Sequence, residues 1–240
     1  MARKSIPEPA AADWTVRDEA LWATAEIAAL SSSGRLHERW PASVPFALRW
    51  GDNEKPLAHG PFQLLSFTAP GDGSYSYNDS SLIAFGRGAA PLMIGHAVGR
   101  AIGNSARRRQ AEALAQPRWM QIDAGTLTVS THGFYMHNPT AIFSWDWRGI
   151  DSLSLAGPGA VHLLGRSEGG PVNWILHSDW AELLFFLWAS TLAPSHPQLV
   201  GRTWLPGDWL TKAFIRAQES PGYPGPADFQ QITRAIGAGI

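Results

Sequence analysis

The 240-residue chain contains no cysteine. Disulfide bonds, thiolate nucleophiles and cysteine-ligated zinc are thereby excluded, while neither a reducing nor an oxidising compartment is. Charge is scarce, at 16% Asp, Glu, Lys and Arg, and nearly balanced at a formal net charge of -1. The chain therefore has no overall field that would steer it to nucleic acid or to an anionic membrane. A long apolar run is also missing. The longest apolar-looking stretches, Ala89–Ile102 and Leu183–Leu192, fall short of the roughly 20 residues that cross a bilayer, and His96 and Arg100 interrupt the first. The start, MARKSIPEPAAADWTV, has no apolar core of a secretory leader. The expectation is a cytoplasmic protein without a transmembrane segment. No HExxH, GxSxG, Walker loop or dinucleotide fingerprint occurs, and the eight histidines (His37, His59, His96, His132, His137, His162, His177, His196) are scattered. The sequence thus assigns no catalytic residue, no metal site and no cofactor, and leans away from an enzyme.

What is abundant is apolar and aromatic. Hydrophobic residues make up 45% of the chain and tryptophans number twelve, enough for a core of several packed layers. Thr15 followed by Asp18 and Glu19 predicts a capped helix to about Leu30, with Leu21, Trp22, Ala25 and Ala28 near one stripe and SSSG at 31–34 ending it. Val44–Trp50 and Phe62–Ala69 read as strands of a smaller sub-layer, and LIAF at 82–85 is too short to assign. From Trp119 the pattern is regular. WMQID, TLTVST, GFYMHN, AIFSWDW, SLSLAG, AVHLLG and VNWILHS read as short strands, separated at AG (124–125), HG (132–133), NPT (138–140), GPG (157–159) and EGG (168–170). Such spacing indicates an antiparallel curved sheet. DWAELLFFLWAS then reads as a helix, with Asp179 capping its first turn, Glu182 reaching back and Pro194 ending it. A short helical piece near Trp209–Ala217 precedes SPGYPGPAD, which reads as irregular.

Seven short antiparallel strands followed by one capped amphipathic helix is the layout of a pleckstrin-homology (PH)-like superfold. Through GTLTVSTHGFYMHN, FSWDWRGIDSLSL and VNWILHSDWAELLFFLWA, the stretch Trp119–Ala193 resembles bacterial PH-like and GRAM-like domains. The matching positions are Gly125, Leu127, Val129, Gly133 and Phe134, then Phe143, Trp145, Ile150 and Leu153. The chain also resembles a group of actinobacterial proteins sharing motifs like LHxRWP, GDGSY, GNxxRRR, PRW and SDWAEL, here Leu36–Pro41, Gly71–Tyr75, Gly103–Arg109, Pro117–Trp119 and Ser178–Leu183; that group brings no activity with it. The resemblance implies an α+β, mainly β fold: a PH-like curved antiparallel barrel of about seven short strands closed by a C-terminal amphipathic helix, with an N-terminal helical and short-strand extension. The implied organisation is an N-terminal region at 1–115 with a Gly/Arg-rich helix, a PH-like domain at 116–195 and a C-terminal extension at 196–240. It also implies a docking scaffold for membranes, phospholipids or peptides. The basic cluster that phosphoinositide-binding relatives place in the first hairpin is missing, since Gln121, Asp123 and Thr126 stand there.

Three groups of residues carry the functional expectation. In PLMIGHAVGRAIGNSARRRQ, Gly95, Gly99 and Gly103 are four apart and share one helical face, a close-packing face that includes self-association among its uses. From Arg87 to Arg118 there are six arginines (Arg87, Arg100, Arg107, Arg108, Arg109, Arg118) against one acid, Glu112. Guanidinium groups suit phosphate and carboxylate forks, so this segment is expected to grip a protein partner or touch an anionic membrane peripherally, or else simply to complement a helix end; nucleic acid is not expected. In SWDWRG, Trp145 and Trp147 are read as sharing one strand face and Asp146 and Arg148 the other. The leading expectation is a non-catalytic binding or scaffold protein. The alternative is a small-molecule sensor or enzyme, with a pocket between the N-terminal region and the barrel drawing on His132, Asp146 and Arg148.

Overall fold

The structure, a computed structural model, describes residues 14–68, 116–167, 169–219 and 222–237. Arg87, Gly95, Gly99, Arg100, Gly103, Arg107, Arg108 and Arg109, with the segment 82–85, lie outside the described residues. Two compact units are present, one of the chain up to Leu65 with that from Gln121 onward, the other spanning Ser66–Met120.

Seven strands form one sheet: β1 Pro56–Thr68, β2 Arg118–Ser130, β3 Gly133–His137, β4 Ile142–Asp146, β5 Ile150–Gly157, β6 Ala160–Ser167 and β7 Gly170–His177. Their order is β4-β3-β2-β1-β7-β6-β5. This corrects the expected closed PH-like or GRAM-like barrel: the sheet is open, with β4 and β5 as its two free ends. The reason lies between those strands. Trp147–Gly149 forms a 3-10 turn, capped by Asp146 accepting the Arg148 amide at 2.7 Å, and not a hairpin. The chain is thus carried from one edge of the sheet to the other without pairing the strands it joins.

Strand identities also differ from expectation. WMQID and TLTVST are one continuous strand, β2, with no turn at 124–125. The glycine there answers a close approach instead: a Cβ on Gly125 would collide with the His137 carbonyl across the ladder. Gly133 is constrained in the same way by the Trp145 carbonyl. The remaining strand is β1, longer than the Phe62–Ala69 piece expected, while Val44–Trp50 is an irregular segment. On β3 Phe134 and Met136 face one side of the sheet and Tyr135 the other, and all three are buried, because both faces are covered.

Among the described residues the helices are α1 Val16–Ser32, α2 Ala181–Leu192, α3 Pro197–Val200, α4 Gly207–Glu219 and α5 Pro226–Ala235. α1 starts as its sequence predicts: Thr15 Oγ1 accepts the Asp18 amide at 3.2 Å, and Asp18 accepts the Thr15 amide at 2.7 Å. Lys212 of α4 donates to the same carboxylate at 2.5 Å. Burial pushes the Asp18 carboxyl up, but its hydrogen bonds from Lys212 and Thr15 outweigh this and hold it below the ordinary 3.8. α5 rises within a stretch read as irregular, with Gly225 at its N-cap, Pro226 in the first turn and Asp228 accepting the Gly225 amide at 2.9 Å. Trp22 of α1 joins these helices, its ring 6.5 Å from Trp209 and 6.4 Å from Phe229.

α2 lies between layers, against β5 and β6 on one side and α1 on the other. Every residue from Ala181 to Ala189 is buried, the pattern of a helix covered all round. Its expected capping box is absent: Trp180 is the N-cap and makes no side-chain cap. Glu182, only 1% exposed, turns instead to Arg17 Nη2 at 2.5 Å and the Gly159 amide at 2.9 Å. A guanidinium and an amide hold a buried carboxylate more firmly than one helix-end N–H can. One ion pair thus ties α1, the β5–β6 turn and α2. Arg17→Met strands the Glu182 charge and is expected to cost about 3 kcal/mol, or roughly 6–12 °C in melting temperature. Arg17→Met with Glu182→Leu should recover most of that loss in the same thermal melt.

Candidate binding groove at the open end of the sheet

The inner face of the sheet is apolar. Leu127 pairs with Met136 and Val129 with Phe134 across β2 and β3, and Phe134 pairs with Trp145 on β4. Phe134 and Trp145 stack at 6.1 Å, and Trp174 of β7 meets Trp145 edge-on at 5.0 Å. α2 covers β5, β6 and the 3-10 turn. Between β4 and the β6–β7 turn lies a groove of about 670 Å3, and among the described residues no α-helix contributes to its lining. Leu64, Met136, Trp145 and Trp174 floor it; Arg166, Ser167 and Gly169 wall its far side. Three large apolar side chains line it while half open to solvent: Ile122 (50% exposed), Ile142 (43%) and Phe143 (47%). Folding leaves such side chains exposed singly, but a concave cluster of them marks a contact surface.

Arg49 stands at the same groove, and its position is set from the other face of β3. There the irregular segment before β1 lies over Tyr135, with Phe46 at 5.0 Å and Trp50 at 5.1 Å between ring centroids. Beneath them is a buried carboxylate, Glu54, which accepts from Ser130 Oγ at 2.5 Å, from the Tyr135 hydroxyl at 2.8 Å and from the Trp50 amide at 3.0 Å. The Tyr135 oxygen accepts the Arg49 amide at 2.7 Å. The Arg49 side chain then reaches over the sheet edge and donates to Ser144 Oγ at 2.8 Å. Burial first, and the neighbouring Glu54 charge with it, push the Tyr135 hydroxyl up to about 12.

The polar groups of the groove are engaged in structure. Asp123 accepts twice from the Asn138 side-chain amide, at 3.1 and 3.0 Å, and Asp146 caps the 3-10 turn. Ser167 Oγ donates to the Gly170 carbonyl at 3.1 Å. Among the described residues no histidine lines the groove, and none stands beside its hydroxyls as a base. Among the described residues no three His, Asp or Glu side chains converge.

Of the pocket residues named from the sequence, Asp146 lines this groove. His132 sits in the β2–β3 turn, its carbonyl accepting the Trp147 amide at 3.2 Å, and Arg148 is exposed within the 3-10 turn. Asp146 and Arg148 do not share a strand face, because the strand ends at Asp146. Trp145 and Trp147 both pack on Phe134, with the second at 6.2 Å. Arg118 opens β2 and is exposed. The groove residues that the sequence leaves unmarked are Arg49, Ile122, Arg166 and Trp174. In the sequence they look like ordinary strand residues, and only exposure sets them apart. Compared with known families and curated proteins, the chain matches no family model and no curated protein.

Tyr135→Phe removes a donor from buried Glu54 and the acceptor of the Arg49 amide, at an expected cost of about 1–3 kcal/mol. The sign of its pH dependence follows from the raised folded-state value. The tyrosine contribution is fully present below its ordinary 10.0 and is lost as pH rises toward about 12. Urea unfolding from about pH 9 to about pH 12 should therefore show a steeper alkaline loss in the native protein than in Tyr135→Phe.

Proposed function

We propose that this chain is a non-catalytic binding protein that lodges part of a protein partner in the groove beside β4. The observation that carries this reading is the cluster of half-exposed Ile122, Ile142 and Phe143 around an aromatic floor of Trp145 and Trp174. Aromatic anchors at the centre of a concave patch dominate the energetics of protein recognition. Structural occupation of every carboxylate and hydroxyl named above favours binding over turnover. Arg49 and Arg166 supply cations and Asp123 and Asp146 carboxylates, so charged groups of a partner would be matched locally and not by a net field. Among the described residues no helix is long and apolar enough to cross a membrane.

A polarity-sensitive fluorescent dye tests the groove directly, since Trp145 and Trp174 report on its occupation by energy transfer. Covering the Phe143 ring is worth about 2 kcal/mol. Phe143→Asp should therefore weaken dye binding by at least about tenfold, with the melting temperature little changed. Equal binding by both proteins rejects the groove as the contact surface.

A further inference from the structure

The two free edges of the sheet are finished differently. At β5 the ladder is interrupted by register shifts between Ile150 and Ser152 and between Leu155 and Gly157. Gln198 also clamps this edge, accepting the Leu155 amide at 2.9 Å and donating to the Leu155 carbonyl at 3.0 Å. Bulges and coverings of this kind close an edge to further pairing. β4 has neither. Its sequence, IFSWD, contains no lysine, proline or glycine, and its register with β3 runs unbroken from Gly133↔Asp146 to His137↔Ile142.

The direction of the β4 backbone follows from two flanking bonds. The Asn138 amide donates to the Ala141 carbonyl at 3.0 Å, and the Trp147 amide donates to the His132 carbonyl at 3.2 Å. Antiparallel pairs alternate between hydrogen-bonded and non-hydrogen-bonded. Phe143 and Trp145 therefore spend their backbone groups on β3, while Ile142, Ser144 and Asp146 turn theirs outward into the groove. Among the described residues no bond occupies the backbone groups of Ile142 and Ser144, whereas the Asp146 carbonyl accepts the first bond of the 3-10 turn.

We propose that β4 is a strand-addition site, at which an extended peptide segment of the partner pairs with Ile142 and Ser144. This rests on the groove reading above and names its occupant. A five-residue extended segment spans about 17 Å. Residues opposite Phe143 and Trp145 face the apolar floor. Residues opposite Ile142 and Ser144 lie on the face of Arg49, which donates to Ser144 and has no carboxylate partner among the described residues. Arg166 on the far wall is held only at 3.4 Å by an exposed Asp151. The favoured segment therefore alternates apolar and acidic side chains. Ser167 and Gly169 wall the far side, so the groove is concave, and a free extended segment enters a concave site more readily than the flank of a second folded copy.

The probe is a capped pentapeptide alternating valine and glutamate, with an analogue N-methylated at both glutamates, whose amides would face β4. The expected result is slowed amide exchange at Ile142 and Ser144, with Phe143 and Trp145 unchanged. The N-methylated analogue should bind at least about tenfold more weakly. Arg49→Gln should weaken the glutamate peptide by about three- to tenfold and leave its glutamine counterpart unaffected. Equal binding by the N-methylated analogue, with dye binding intact, overturns strand addition and leaves the groove reading standing; loss of dye binding removes both. A dimer by light scattering that Ser144→Pro converts to monomer assigns the edge to a second copy and overturns the peptide.

Discussion

At the end of β4 the Asp146 carboxylate accepts the Arg148 amide and folds Trp147–Gly149 into a single tight turn. The direction of that turn governs much of what surrounds it. The Trp147 amide stays bonded to His132, so the chain remains against the β2–β3 turn and β5 begins at the opposite edge of the sheet. Trp145 and Trp147 bury their rings against Phe134 on either side of the cap, replacing backbone pairing between β4 and β5 with aromatic packing. An open end, and with it the groove, is the direct result.

Two buried carboxylates hold the layers on either side of the sheet. Glu182 binds Arg17 and the Gly159 amide and fixes α1 and α2 over β5 and β6. Glu54 gathers a serine, a tyrosine and an amide and fixes the segment before β1 over β3. Each is costly to bury and is held by several donors, so each is a point at which losing one partner is felt strongly. Their functional consequences differ. Glu182 completes the core, whereas Glu54, through Tyr135, sets where Arg49 leaves the loop and reaches the sheet edge.

An open sheet has two edges to manage. β5 is closed by its own irregularity and by Gln198, a residue 43 positions from the backbone it clamps. β4 keeps its outward backbone groups beside exposed apolar side chains. Among the described residues the chain seals one edge and leaves the other uncovered, and the proposed contact surface rests on that contrast.

Local rules determined much of this protein. Thr15 with Asp18 starts α1, the turns at 132–133, 138–140, 157–159 and 168–170 separate strands, and the apolar positions Leu127, Val129, Phe134, Ile150 and Leu153 enter the core. These depend on neighbours a few residues away, and period and capping chemistry are enough to read them. Tertiary structure decided the rest. Gly125 looked like a turn because close approach to the His137 carbonyl cannot be seen from one strand. Glu182 looked like a cap because its ion-pair partner lies 165 residues away. Arg49, Ile122 and Phe143 differ from core or surface residues only in which edge their strand or loop occupies. Strand order arises from pairing across distant sequence, so the site was not legible until the sheet was assembled.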